Sequence, residues 1–113
     1  MSNEKKFDVV IYGATGFTGR LVAEYMVRQY GHNQEVTWAM AGRNIEKLAQ
    51  VREEIGAHED TSLLVVDSED RNSLDNMTSH AKCVLTTVGP YQLYGSDLVT
   101  SCAKAGTDYV DLT

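Results

Sequence analysis

Residues 7–19 read Phe7-Asp8-Val9-Val10-Ile11-Tyr12-Gly13-Ala14-Thr15-Gly16-Phe17-Thr18-Gly19. Phe7–Tyr12 is a short apolar run rich in β-branched side chains, bounded by glycine, as a buried strand requires. Glycine then recurs at every third position, and from Phe17 to Tyr30 the pattern turns helical. A strand, a glycine-rich turn and a helix in that order are the context in which such glycines hold a dinucleotide. Gly13 would turn the chain at the strand end, and Gly16 would let backbone N–H groups approach a pyrophosphate. Gly19 would let the helix pack against the strand. Unpaired donors and partial positive charge at the helix N-terminus complete an anion site. Gly13, Ala14, Thr15, Gly16, Phe17, Thr18 and Gly19 are therefore candidate cofactor-binding residues. The G-x-x-G-x-x-G spacing is similar to that of short-chain-type and related reductases.

Outward from the loop the alternation continues. In the first helix Leu21, Val22, Tyr25 and Met26 fall on one stripe, and Gly31 closes it. Val36–Ala41 reads as a second strand, its small Thr37, Ala39 and Ala41 alternating with larger neighbours. Asn44 is a candidate N-cap for a second helix with Ile45, Leu48, Val51 and Ile55 inward and Gly56 as its stop. Leu63–Val66 is a third strand, and Ser73–Ser79 a short helix with Leu74 and Met77 inward. Cys83–Val88 is a fourth strand. A helix from Ser96 or Asp97 to Lys104 turns Leu98, Val99, Cys102 and Ala103 inward, and Gly106 ends it. Asp108–Leu112 is the fifth strand. Continuous apolar strands alternating with helices predict an α/β fold, a doubly wound parallel sheet of Rossmann type in strand order 3-2-1-4-5. The sheet would stop before a sixth strand. Residues 1–113 read as one dinucleotide-binding domain, with no internal linker or solenoid repeat.

Composition narrows the function. The chain of 113 residues carries a formal charge of −6, and it has no basic run, so nucleic acid is not an expected partner. No stretch approaches the roughly 18 apolar residues of a transmembrane helix. The polar Met1–Lys6 leads directly into a strand, unlike a signal peptide. Cys83 and Cys102 sit in apolar patterns and read as core thiols of a reduced, cytoplasmic protein. With His32, His58 and His80 they lack metal-ligand spacing, so no metal is expected. A receiver-type fold is excluded because Gly13 and Ala14 stand where an acidic pair would hold its metal ion.

The cofactor is read at the second strand. An NAD-binding unit places an acid there for the ribose 2′-hydroxyl, whereas Ala41-Gly42-Arg43-Asn44 contains none. Arg43 suits a 2′-phosphate, with its fixed charge and planar donors, and Asn44 could add a hydrogen bond while capping the helix. An arginine solvated in its loop is the plainer alternative for Arg43, but the absence of the acid favours NADP (NADPH). Asp67, ending the third strand, either accepts from the adenine amino group or starts an Asx turn.

In strand order 3-2-1-4-5 the chain reverses between the first and fourth strands, and ligands bind outside the carboxyl ends there. Thr86-Thr87-Val88-Gly89-Pro90-Tyr91 should thus face the glycine loop. Val88, Gly89, Pro90 and Tyr91 are candidate cofactor contacts, and Tyr91 and Tyr94 are either pocket-lining or packed tyrosines. Arg20 either approaches a phosphate or is a solvated helix residue. No Tyr has Lys four residues on, and no Ser-His-Asp set or activated cysteine is legible. The catalytic acid or base is unknown from the sequence.

"YGATGFTGRLVAEY", "WAMAGRN", "VLTTVGPYQLYG" and "CAKAGTDYVDLT" together resemble the N-terminal domain of saccharopine dehydrogenase-like oxidoreductases, a family whose branches include trans-acting enoyl reductases of lipid synthesis. The resemblance covers nearly the whole chain. The G-A-T-G-F-T-G form differs from the loop of the lysine-pathway enzyme and points away from saccharopine as substrate. The resemblance implies hydride transfer from NADPH to an activated double bond, enoyl or imine, of a small or lipid-like substrate. It also implies a C-terminal substrate domain beyond Asp111-Leu112-Thr113, so that these residues alone would be inactive. A non-catalytic NADP-binding redox sensor is the alternative. The exposed edge of a sheet stopping at its fifth strand is an expected place for homo-oligomer formation.

Overall fold

The computed structural model describes residues 6–30, 36–67, 69–87 and 92–111. The elements alternate as β1 (Phe7–Tyr12), α1 (Phe17–Tyr30), β2 (Trp38–Gly42), α2 (Ile45–Glu54), β3 (Ser62–Val65), α3 (Arg71–Ser79), β4 (Ala81–Thr86), α4 (Gln92–Ala105) and β5 (Asp108–Asp111). The strands form one five-stranded sheet in the order β3-β2-β1-β4-β5, and every pairing is parallel. This is the predicted doubly wound topology. The central register places Ile11 beside Met40 on one side and beside Leu85 on the other.

The alternation of side chains along each strand divides the core in two. Val10 and Tyr12 of β1 and Ala39 and Ala41 of β2 meet Leu74, Met77, Leu98 and Cys102 of α3 and α4. On the opposite face Ile11 and Met40 meet Ala23, Met26, Leu48 and Val51 of α1 and α2. The two alanines of β2 make room for Leu74 and Met77, both essentially inaccessible. Each such large buried side chain contributes about 1.5–3 kcal/mol relative to exposure.

Several boundaries and faces differ from the sequence reading. β2 starts at Trp38 because Asp8 engages Thr37. The Asp8 carboxylate accepts the Thr37 N–H at 3.0 Å, and the Thr37 hydroxyl accepts the Asp8 N–H at 3.0 Å. That Thr37 N–H, joined by Lys82 at 3.1 Å, holds the Asp8 carboxyl below the usual carboxylate range. α3 begins two residues early, since Asp70 is its N-cap and Ser73 instead accepts the Asp67 N–H. β4 spans Ala81–Thr86 and begins two residues ahead of the expected Cys83, because Ala81 pairs with Phe7; Val88, the expected end, lies outside the described residues. α4 starts at Gln92, ahead of the Ser96 and Asp97 capping signal.

The inward stripe expected for α1 is corrected. Leu21 and Tyr25 are about half exposed, at 49% and 51%, while Gly19, Ala23 and Met26 are buried. The close seating of Gly19 fixes the rotation of the helix, and positions 23 and 26 follow it inward. Ile45 and Val99 likewise face solvent, as does Ala103. In α4 the buried partner of Leu98 and Cys102 is Ser101. Its hydroxyl donates to Asp75 at 2.6 Å and lies 2.8 Å from the Thr78 hydroxyl, which satisfies its polarity across the α3–α4 interface.

Candidate functional site

The glycine turn lies at the carboxyl end of β1, at the point where the chain winds to β2 and β3 on one side and to β4 and β5 on the other. Gly13 has φ +89°, a left-handed value that glycine adopts without a Cβ clash. Its N–H and that of Ala14 both donate to the Ala41 carbonyl, at 2.9 and 3.1 Å. The loop is thus tied to the last turn of β2, beside Gly42 and Arg43. The Gly13 carbonyl points into the fold, where it accepts the Gly16 N–H at 3.0 Å and the Thr87 hydroxyl at 3.2 Å.

Gly19 is needed for space. A Cβ there would stand 2.0 Å from the Gly13 oxygen and 2.8 Å from the Thr87 hydroxyl. At Gly16 a Cβ would meet only the Gly13 oxygen, at 3.5 Å, an ordinary contact. The two glycines therefore differ: position 19 is closed by the protein itself, and position 16 is open to solvent.

The first helical bond of α1 runs from the Arg20 N–H to the Gly16 carbonyl at 2.8 Å. The N–H groups of Phe17, Thr18 and Gly19 precede it and have no acceptor within the helix. No acidic residue lies in this first turn, and Phe17 is 83% exposed. The turn offers donors and partial positive charge to an anion.

Arg43 is exposed beyond the end of β2, and among the described residues it makes no ion pair. Asn44 is the N-cap of α2, its side-chain oxygen accepting from Glu46 and Lys47 at 2.9 and 3.2 Å. Asp67 forms the Asx turn that was one of its two readings, with one carboxylate oxygen accepting the Glu69 N–H at 2.9 Å. Val88, Gly89, Pro90, Tyr91 and the side chain of Tyr94 lie outside the described residues. Arg20 pairs with Glu54 at 2.6 Å, a partner the sequence reading did not identify. Thr87 faces the glycine loop, as its place in Thr86–Tyr91 predicts, but the bond of its hydroxyl to the Gly13 carbonyl is not among the sequence expectations. A hydroxyl residue closing the strand beside β1 is the signal that could have singled it out.

The chemistry available from the described side chains is binding chemistry. Burial, with Asp108 nearby, pushes the Cys83 thiol up, the wrong direction for a nucleophile. Burial, then Asp111, raises Tyr109 in the same way. Among the described residues no group of three His, Cys, Asp or Glu side chains could hold a metal ion. A cleft of about 230 Å³ between β3 and α3, lined by Phe7, Leu64, Val66, Met77 and His80, includes none of the loop residues.

A five-stranded parallel sheet with a glycine turn at its switch point defines a dinucleotide-binding domain of the doubly wound class. The chain belongs to the saccharopine dehydrogenase NADP-binding domain family, whose model matches residues 9–113. The trans-acting enoyl reductase of Mycobacterium tuberculosis (strain ATCC 25618 / H37Rv) is 48% identical over 111 residues, covering 97% of this chain and 26% of the relative. The chain thus spans about a quarter of that protein's length. Among solved structures, apo saccharopine dehydrogenase (L-Glu forming) from Saccharomyces cerevisiae superposes with a TM-score of 0.70 at 21% identity, covering 93% of this chain and 21% of that one. Triphenylmethane reductase from Citrobacter sp., complexed with NADP(H), superposes with a TM-score of 0.69 at 21% identity, covering 89% and 35%. These two likenesses show the fold.

Proposed function

We propose that this chain is the NADP(H)-binding domain of a longer oxidoreductase, in which Gly13–Gly19 holds the pyrophosphate and Arg43 the 2′-phosphate. The observation that carries the reading is the tie between the Gly13 and Ala14 N–H groups and the Ala41 carbonyl. It brings the open donors of α1 and Arg43, which makes no ion pair among the described residues, to one edge of the sheet. The open space over Gly16 and the lack of an acid within Ala41-Gly42-Arg43-Asn44 support a phosphate-bearing ligand at both points. Asn44 donates its side-chain amide while its oxygen caps α2, and Asp67 keeps a second carboxylate oxygen for the adenine. Val88, Gly89, Pro90 and Tyr91, outside the described residues, are the contacts proposed for the ribose and nicotinamide.

Bound NADPH supplies a hydride, and the acceptor in the whole protein is an activated double bond of a small or lipid-like substrate. The kinship to trans-acting enoyl reductases supports the enoyl group. In the whole protein a substrate domain completes the active site, a reading supported by this chain's spanning 26% of the trans-acting enoyl reductase it resembles. Cys83 and Cys102, neither of them in a disulfide, support a reducing, cytoplasmic setting. Among the described residues no helix is long and apolar enough to cross a membrane.

Calorimetric titration of the chain with NADPH and NADH tests the reading. Preferential binding of NADPH is expected. No binding of either cofactor would sink the domain assignment, and equal binding would sink the role of Arg43.

A further inference from the structure

We propose that Thr87 is a positioning residue for the dinucleotide loop, its hydroxyl holding the Gly13 carbonyl turned into the fold. The backbone of Thr87 is itself anchored, its N–H donating to the Tyr12 carbonyl at 3.0 Å. From that anchor the single hydroxyl proton is shared between the carbonyls of Tyr12 and Gly13, at 3.1 and 3.2 Å. The side chain reaches across from the end of β4 to a loop 74 residues earlier in the chain.

The loop needs such a holder because glycine does not supply one. Gly13 at φ +89° has no Cβ, so rotation about its Cα–C bond, which swings its carbonyl, meets little steric resistance. Turned inward, the carbonyl accepts from Gly16 and Thr87, and the next N–H reaches Ala41. Turned outward, the carbonyl oxygen would put the negative end of a peptide dipole where the phosphates bind. The hydroxyl favours the inward state, and Gly19 fits against the same oxygen and the same hydroxyl, so all three groups share one contact.

The inference rests on the proposed cofactor reading of the loop, and its test separates the two. Thr87→Val keeps the shape and removes the donor, whereas Thr87→Ser keeps the donor. Hydrogen exchange of the Gly16 amide, measured by NMR without cofactor, reads the latch alone. In Thr87→Val that exchange is expected to quicken, and NADPH affinity to fall about tenfold, as loss of one part-buried hydrogen bond implies. Adenosine 2′-phosphate, which reaches only the Arg43 side, is expected to bind Thr87→Val as it binds the wild-type chain. Thr87→Ser is expected to behave as wild type in every arm. Unchanged Gly16 exchange in Thr87→Val overturns the latch. Equal loss of NADPH and adenosine 2′-phosphate, or a Ser variant as weak as Val, overturns positioning in favour of plain packing. A wild-type chain that binds no NADPH overturns the cofactor reading and the positioning role with it. That failure shows before any variant is made.

Discussion

The Arg20 guanidinium lies 2.6 Å from the Glu54 carboxylate, tying the first turns of α1 to the last turn of α2. Glu54 is also held by the Gln50 amide at 3.0 Å, and this bond, then Arg20, keeps its carboxyl below the usual range. The pairing gives Arg20 a partner within the chain beside the loop, neither the phosphate nor bare solvent of the two sequence readings.

Arg20→Ala should therefore leave NADPH affinity nearly unchanged. Both partners are substantially exposed, at 41% and 39%, and such pairs add little to stability. A small drop in melting temperature that fades at high salt is expected. A large loss of NADPH affinity in a titration would return Arg20 to the phosphate.

Arg43→Ala should weaken NADPH and leave NADH as it was. Charge-assisted bonds to a phosphate are worth about 1.5–3 kcal/mol, so the loss is on the order of tenfold to a hundredfold. Paired titrations of the variant with the two cofactors measure it directly.

The two inner glycines of the loop should fail in different ways. Gly19→Ala forces a Cβ against the backbone of Gly13, and a cost of about 3 kcal/mol, the upper end for overpacking, is expected in denaturant melts. Gly16→Ala has room in the chain itself, so its stability should match the wild type while NADPH binding falls at least about tenfold. A Gly16→Ala variant that binds normally would move the pyrophosphate elsewhere.

Stability should fall with acid through Asp75. The Ser101 hydroxyl, then Lys104 and Arg71, hold its carboxyl below the usual range against the opposing effect of burial. A carboxyl lowered in the folded state stabilises fully above its unfolded pKa of about 3.9 and loses that contribution as pH falls through the folded value. Ser101→Ala should thus melt lower than wild type at neutral pH. The gap should narrow below about pH 4, where the unfolded carboxyl takes up its proton. A gap that holds constant with pH would assign the loss to Thr78 alone.

The topology was legible because the central strands are short apolar runs and each helix has a start or stop residue near it. β1 and α1 match their expected bounds, Phe7–Tyr12 and Phe17–Tyr30. What escaped the sequence depends on partners far along the chain. The rotation of α1 follows from Gly19 meeting Gly13 and Thr87, a constraint that helical periodicity cannot contain. Ser101 is buried because Asp75 and Thr78 answer it across 26 and 23 residues. Of the candidate site, the Gly13–Gly19 turn and Arg43 were legible from residue type and order. The Ala41 carbonyl was not, because a backbone acceptor leaves no mark in a sequence.

The 74-residue span between Gly13 and the Thr87 hydroxyl also carries a consequence for biosynthesis. During translation the glycine turn emerges early, and β2 can pair with β1 while the ribosome is still adding α2. The other edge of β1 stays bare until Ala81–Thr86 arrive, and long-range parallel pairing of this kind forms slowly. The nascent chain thus carries a loop of the right sequence in the wrong degree of order until residues 81–87 have been made. The hold on the Gly13 carbonyl forms only then, however soon the turn itself leaves the ribosome.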